Sequence, residues 1–198
     1  MSALWPYATP GIPDKLIQQL PGIPLTKREV RLLVLGYLRQ KPAAQLRDIG
    51  AGTGTISIEA ALLCPKGTIT AVERDEEVAG LIQTNCEHFS ITNVNVISGN
   101  APECLNQIQG QPSCILIEGI PLQNTIEVAW QKLSLNGRIV VTANNLEALY
   151  TASETFANLQ VRNIDVIQPA VNRLETKGNR QVFAAVDPIF VISGDKLE

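Results

Sequence analysis

A glycine-rich turn between an apolar strand and a helix is the feature that most constrains this fold. The turn reads Asp48-Ile49-Gly50-Ala51-Gly52-Thr53-Gly54. The apolar run 43–49 predicts a short strand, and Thr55 to Leu63 predicts a helix whose free N–H groups point back toward the turn. Because glycine permits positive φ and lets the backbone approach a ligand closely, we interpret the turn as a cofactor cradle.

The glycine spacing distinguishes between cofactor classes. A dinucleotide-binding turn reads G-x-G-x-x-G, whereas Gly50, Gly52 and Gly54 give G-x-G-x-G and Thr55 stands where the third glycine would be. An acid near the end of a strand followed by G-x-G-x-G resembles the first motif of the class I S-adenosylmethionine-dependent methyltransferases. A plain strand-to-helix connection is the alternative.

Composition limits the class of protein and its partners. The chain has 198 residues, enough for one good-sized core, so we expect a proline-rich N-terminal arm at 1–25 and a single domain at 26–198. A net charge of −3 argues against a nucleic-acid partner. No long apolar run or signal core is present, so we expect no membrane association and a cytoplasmic protein. Four widely spaced cysteines predict reduced thiols and no metal site.

Strand-like and helix-like segments alternate along the chain. Thr26 to Glu29 fits a capping box with Thr26 as N-cap, which predicts a helix to about residue 40. The predicted strands are 43–49, 68–72, 93–97, 114–117, 137–142, 161–166 and the broken apolar run 181–192. The fold class is therefore α/β, Rossmann-like, with a seven-stranded, mostly parallel sheet and helices on both faces. The final strand pair has no helix between its members and predicts an antiparallel edge hairpin, and 168–180 is interpreted as a long polar loop.

The candidate site follows from the rule that open α/β sheets bind ligands at the carboxyl ends of their strands. Four predicted strands deliver polar or glycine residues there: Asp48 with the turn Gly50 to Gly54, Glu73, Asn100 with Ala101, and Glu118 with Gly119. Glu73 can accept hydrogen bonds from both hydroxyls of a ribose. Its alternative role is that of a solvated residue at the start of a helix.

The remaining cofactor contacts are assigned by position. An adenine ring would lie near Asn100 and Ala101, and the methionyl carboxylate would lie against the glycine turn, within reach of Thr26. The cofactor-binding set is therefore Thr26, Asp48, Gly50, Ala51, Gly52, Thr53, Gly54, Glu73, Asn100 and Ala101. No catalytic residue is assigned.

A more particular resemblance rests on segments spread in order along the chain: Gly11 to Asp14, Ile23 to Arg31, Asp48 to Gly54, Gly99 to Pro102 and Asp187 to Ile192. Together they resemble the decarboxylating precorrin-6Y/precorrin-6B (cobalt-precorrin) methyltransferases of cobalamin biosynthesis. The resemblance implies that S-adenosylmethionine is the cofactor and that carbon 15 of a precorrin or cobalt-precorrin is methylated, with loss of carbon dioxide from the acetate at carbon 12. It also implies a homotetramer and, in some organisms, a separate carbon-5 methyltransferase.

The sequence departs from the family pattern after the fourth strand. Family members tend to have a Gly-Gly-Ser-type turn there, and this chain has Glu118-Gly119-Ile120-Pro121-Leu122. Because a corrin precursor carries many carboxylates, Arg173, Lys177 and Arg180 are candidates to bind it, together with Glu118 and Gly119 near the methyl group. The alternatives are a class I methyltransferase acting on another small molecule, RNA or protein, or a non-catalytic scaffold of the same fold.

Overall fold

The computed structural model describes residues 4–119 and 122–198. Its main sheet has seven strands in the order β3-β2-β1-β4-β5-β9-β6, and a separate hairpin is formed by β7 and β8. The strands are β1 Gln45–Ile49, β2 Thr68–Glu73, β3 Val94–Ser98, β4 Cys114–Ile117, β5 Arg138–Ala143, β6 Arg162–Ile167, β7 Asn172–Lys177, β8 Arg180–Ala185 and β9 Phe190–Asp195. The helices are α1 Arg28–Leu38, α2 Thr55–Leu63, α3 Glu76–His88, α4 Leu122–Lys132 and α5 Leu146–Asn158.

Strand polarity confirms the predicted fold class. Strands β1 to β5 are parallel to one another, whereas β9 runs antiparallel to both β5 and β6 at one side of the sheet. The chain leaves β1 toward β2 and β3, and later returns to the opposite side of β1 as β4. This reversal creates a crevice at the carboxyl ends of β1 and β4, where open α/β sheets bind ligands.

Apolar side chains cover both faces of the sheet. On one face, α1 and α2 pack Val34, Leu38 and Ile56 against strand residues such as Leu46 and Leu116. On the other face, α4 and α5 pack Ile126 and Phe156 against Ile115, Ile117 and Ile139. The continuous burial of β4 and β5 is typical of parallel strands that have helices on both sides.

The structure corrects two sequence expectations. Helix α1 begins at Arg28 with Lys27 as its N-cap and has no side-chain cap, so the assignment of Thr26 as N-cap was wrong. The segment 168–180 is not a loop throughout, because residues 172–177 form β7 and pair with β8. Charged and polar residues dominate the first of these strands, which concealed it from an apolar-pattern argument.

The N-terminal arm packs onto the body of the protein through a buried ion cluster. Glu59 of α2 accepts hydrogen bonds from the backbone N–H groups of Gly11 (2.7 Å) and Ile12 (3.1 Å) and from Arg31 Nε (2.8 Å). Arg31 and Glu59 have no exposed side-chain surface, and Arg31 also pairs with Asp14 at 2.8 Å. The helix that follows the glycine turn is therefore connected directly to the arm.

Candidate active site

The glycine turn joins β1 to α2 in a conformation that favours glycine. Gly50, Gly52 and Gly54 all have positive φ, and Gly54, at φ 75°, is the N-cap of α2. A Cβ on Gly54 would lie 2.7 Å from Ile82 Cγ2, which is closer than real contacts allow, whereas a Cβ on Gly52 would meet nothing within 4 Å. The turn is thus packed against α3 at Gly54 and open on the side of Gly52.

Glu73 lies beside this open side, at the end of β2. Its Oε2 accepts a hydrogen bond from the Gly52 N–H at 3.0 Å, and its Oε1 accepts one from the Asp75 N–H at 3.1 Å. Gly99 N–H donates to the Glu73 carbonyl at 2.9 Å, which connects the end of β3 to the same place. The exposed Asn100 and the half-buried Ala101 follow directly. The structure therefore gathers the predicted residues of β1, β2 and β3 at one edge of the sheet.

Asp48 is fully buried beneath the turn. Its Oδ2 accepts a hydrogen bond from Ser57 Oγ at 2.6 Å, while its Oδ1 is buried without a hydrogen-bond partner. Burial raises the pKa of Asp48 to about 6, opposed by hydrogen bonds from the side chain and backbone of Ser57, and the nearby Glu73 carboxylate raises it further. A buried carboxylate oxygen without a protein partner is uncommon, so Asp48 is suited to interact with a polar or cationic group of a ligand at this turn.

Glu118 occupies the end of β4, next to Asp48 on the sheet. Its Oε1 accepts a hydrogen bond from Thr142 Oγ1 at 3.1 Å, and the Thr26 hydroxyl is a second side-chain partner. Withdrawal from water and the nearby Asp48 carboxylate raise the pKa of Glu118 to about 8. Gly119 follows with φ 61°, and residues 120–121 of the predicted departure lie outside the described part of the chain.

The three predicted cations lie on the β7–β8 hairpin. Arg173 contacts two acidic residues of the chain: its Nη1 lies 2.8 Å from Asp14 Oδ2, and its Nη2 pairs with Glu29 Oε2. The Glu29 and Asp14 contacts raise the pKa of Arg173. Lys177 and Arg180 are exposed and flank the hairpin turn, with Lys177 Nζ 3.9 Å from Glu175. The hairpin thus has two exposed cations at its tip, Lys177 and Arg180, and one cation at its base, Arg173, that is already paired with Asp14 and Glu29.

Two site residues were missed by sequence reasoning. Ser57 lies nine residues after Asp48, in the first turn of α2, and Thr142 lies near the end of β5. Thr142 could have been found by extending the strand-end rule to the fifth strand. Ser57 could not have been found in this way, because its hydrogen bond to Asp48 depends on how α2 crosses the end of β1.

Comparisons with known proteins assign this arrangement to a family. A family profile described as a precorrin methyltransferase domain matches residues 21–196. The chain belongs to the precorrin methyltransferase family. It shares with that family the class I S-adenosylmethionine-dependent methyltransferase fold, and S-adenosylmethionine is its cofactor.

Individual members of the precorrin methyltransferase family match over nearly their full lengths. The chain is 37% identical over 192 residues to the "Probable cobalt-precorrin-6B C(15)-methyltransferase (decarboxylating)" of Pyrobaculum calidifontis, covering 96% of this chain and 97% of the relative. It is 33% identical to the cobalt-precorrin-6B C(15)-methyltransferase (decarboxylating) of Salmonella typhimurium, covering 93% and 96%. A crystal structure of precorrin-6y C5,15-methyltransferase from Geobacter metallireducens superposes with a TM-score of 0.87 at 30% identity, covering 94% and 98%.

The residues present fit this cofactor. The turn is open at Gly52, where a backbone can approach a ligand, and Glu73 presents a carboxylate beside it. The orphaned Asp48 Oδ1 lies under the same turn.

In the described residues, no helix has the length and apolarity needed to cross a membrane.

Proposed function

We propose that this protein transfers a methyl group from S-adenosylmethionine to carbon 15 of a precorrin or cobalt-precorrin, with decarboxylation of the acetate at carbon 12, in cobalamin biosynthesis. The observation that carries the proposal is the family match over residues 21–196, together with named relatives that cover the same length. The open glycine turn beside Glu73 supports it, since this is the geometry that a nucleoside cofactor needs.

The cofactor occupies the carboxyl ends of β1, β2 and β3 in this proposal. Glu73 accepts hydrogen bonds from the ribose hydroxyls while its other contacts fix its orientation. Asn100 and Ala101 contact the adenine edge. The backbone of Gly50 to Gly54, including Ala51 and Thr53, holds the methionyl part above Asp48, and Thr26 contacts it from the opposite side.

The acceptor lies above β4 and beneath the β7–β8 hairpin. Lys177 and Arg180 are exposed, so they can bind acetate and propionate side chains of the macrocycle. Lys177 would exchange only a solvent-exposed 3.9 Å contact with Glu175 for the substrate carboxylate. Arg173 binds a substrate carboxylate only if its ion pair with Asp14 or with Glu29 is broken. Glu118 and Gly119 lie next to the acceptor at the end of β4.

The chemistry requires little from the protein beyond positioning. The bound cofactor supplies an electrophilic methyl group on a positively charged sulfur. The electron pair left by carbon dioxide can be delocalised over the conjugated macrocycle, so the chain's part is to align the acceptor carbon with the methyl group and to exclude water. The hairpin cations hold the peripheral carboxylates, and the glycine turn fixes the donor.

The assembly and location are proposed in the same terms. We place the enzyme in the cytoplasm, as an N-terminal arm at 1–25 and one catalytic domain at 26–198. It works as a homotetramer, without nucleic acid or membrane, and alongside a separate carbon-5 methyltransferase. Exposed apolar side chains on β6, α5 and β8 support self-association, since a monomer would leave them in water: Ile164, Val166, Tyr150 and Phe183.

The deciding experiment supplies the protein with S-adenosylmethionine carrying a labelled methyl group and a precorrin mixture with and without cobalt. We expect a product that has gained one methyl group and lost one carbon dioxide by mass analysis. Gly52→Val should abolish cofactor binding and turnover. Gly80→Val is the control and should retain both, because an added Cβ there also has nothing within 4 Å but Gly80 lies on α3, away from the glycine turn. Cofactor binding without a methylated tetrapyrrole would favour a different acceptor, and methyl gain without carbon dioxide loss would contradict the decarboxylating reaction.

A further inference from the structure

Two carboxyl groups, Asp48 and Glu118, lie together at the ends of β1 and β4. The strands are parallel, with Asp48 opposite Leu116 and Ile49 opposite Ile117, so Asp48 and Glu118 project from the same face of the sheet. Thr142 of β5 continues this face and hydrogen-bonds to Glu118. The two acids are close enough to interact electrostatically, and Asp48 is fully buried whereas Glu118 is partly exposed.

Neither carboxyl has a cationic partner among the residues that the structure describes. None of the ion pairs formed among residues 4–119 and 122–198 includes Asp48 or Glu118. The fully buried Asp48 Oδ1 has no hydrogen-bond partner at all. Elsewhere in this molecule a buried carboxylate is compensated, as Glu59 is by Arg31 at 2.8 Å. Buried polar atoms in proteins normally have a partner, so this oxygen beside a second carboxyl favours a cationic group of a ligand as the partner of the pair.

We propose that Asp48 and Glu118 form a cation-recognition pair that distinguishes S-adenosylmethionine from S-adenosylhomocysteine by the positive charge on sulfur. The inference rests on the proposed function, because that reaction brings the cofactor to these strand ends. Both ligands carry the same adenosine, carboxylate and ammonium groups, so the turn and Glu73 hold them alike. Only the sulfur differs, being a trivalent sulfonium before methyl transfer and a neutral thioether after it.

Methyl transfer therefore removes the partner of the pair. An electron pair of the acceptor carbon forms the new C–C bond to the methyl group, while the C–S bond breaks and its pair stays on sulfur, which becomes neutral. The attraction between the sulfur and the two carboxyls is then lost, and the Asp48–Glu118 repulsion is no longer compensated. The pair favours substrate cofactor over product cofactor, which lowers product inhibition.

The test compares dissociation constants of the two cofactors by titration calorimetry at pH 8.5, where the Glu118 carboxyl is mainly ionised. Glu118→Gln should weaken S-adenosylmethionine binding about tenfold, equal to about 1.4 kcal/mol, and change S-adenosylhomocysteine binding less than about twofold. Glu127→Gln on α4 is the matched control for loss of one negative charge and should leave both constants unchanged. Circular dichroism of each variant checks that it is folded.

A second measurement uses the wild-type protein alone. Calorimetry at pH 7.0 in two buffers of different ionisation enthalpy counts the protons released on binding. Asp48 is the titratable group that faces Glu118, beside the Thr26 and Thr142 hydroxyls. S-adenosylmethionine should release a proton from this pair, and S-adenosylhomocysteine should release fewer.

The outcomes separate the inference from the function on which it rests. If both cofactors bind but Glu118→Gln weakens them equally, or not at all, and both release the same number of protons, the inference is wrong while the methyltransferase assignment stands. If neither cofactor binds the wild-type protein, the proposed function and the inference both fail. A selective loss of S-adenosylmethionine affinity together with selective proton release supports the pair.

Discussion

Replacing Arg31 by methionine should be among the most destabilising single changes in this protein. Its guanidinium is fully buried, pairs with Glu59 and Asp14 at 2.8 Å each, and donates to the backbone carbonyls of Thr26 and Ile12. Methionine would fill much of the volume but would leave the Glu59 carboxylate buried without a cation. Breaking one side of a buried ion pair costs about 3–5 kcal/mol.

The magnitude can be checked against an internal reference. Arg173 also contacts Asp14 and pairs with Glu29, but its side chain is 33% exposed, so solvent screens it. Arg173→Met should cost about 1 kcal/mol or less. In urea unfolding followed by circular dichroism, a slope of about 2 kcal/mol per molar would give a midpoint shift of about 1.5–2.5 M for Arg31→Met and about 0.5 M for Arg173→Met.

A double variant tests the proposed cause. If the loss in Arg31→Met comes from an uncompensated Glu59 charge, adding Glu59→Gln should cost less than Glu59→Gln does in the wild-type background, because the two changes share one interaction. Additive losses, or an Arg31→Met variant no less stable than Arg173→Met, would refute the claim that an uncompensated Glu59 charge causes the loss.

Three further predictions concern the site. Gly54→Ala should weaken both folding and cofactor binding, because the new Cβ would lie 2.7 Å from Ile82 and φ at this position is 75°. Gly22→Ala is the control: it also has positive φ, but its Cβ would have nothing within 4 Å, so it should affect only folding. Thermal melts measure folding, and titration calorimetry measures cofactor binding. Glu73→Ala should reduce affinity for both cofactors equally, at least about tenfold, in the same titration, since it removes ribose hydrogen bonds that do not depend on sulfur charge. The Glu118 carboxyl holds its proton to a higher pH in the folded than in the unfolded protein, so the stability it contributes is present at low pH and is lost as pH rises from about 4.5 toward its folded pKa of about 8. The urea midpoint of Glu118→Gln should therefore rise relative to that of the wild type across this pH window. A constant difference between the two midpoints would contradict the raised pKa.

The sequence was most informative where local chemistry decides the structure. The glycine turn predicted its own strand, helix and open backbone, because positive φ at Gly52 and Gly54 is a local requirement. The strand-end rule placed Glu73, Asn100 and Glu118 near the turn because parallel strands bring their carboxyl ends to one edge. Both predictions depend on pattern and topology rather than on packing detail.

Sequence reasoning failed where distant segments meet. Thr26 has the residue type of an N-cap, but Arg31 holds the Thr26 carbonyl and the Thr26 hydroxyl bonds to Glu118, so tertiary contacts override the local preference. The unsatisfied Asp48 Oδ1 could not be inferred either, since such an oxygen is recognised only when all surrounding atoms are placed. The pairing of Arg173 with Glu29 could not be foreseen either, because the two residues are 144 positions apart in the sequence.

The position of β9 has a consequence for how the chain is assembled during synthesis. Strand β6 leaves the ribosome before β9, yet within residues 4–119 and 122–198 its one partner in the main sheet is β9, which separates it from β5. Until residues 190–195 have been made, β5 has one open edge and β6 has two. Because such long-range closure is slow, we expect this half of the sheet to form last and to depend on chaperones for protection of its open edges. The crevice between β1 and β4 lies outside this late region, so the cofactor site can be built before the sheet is complete.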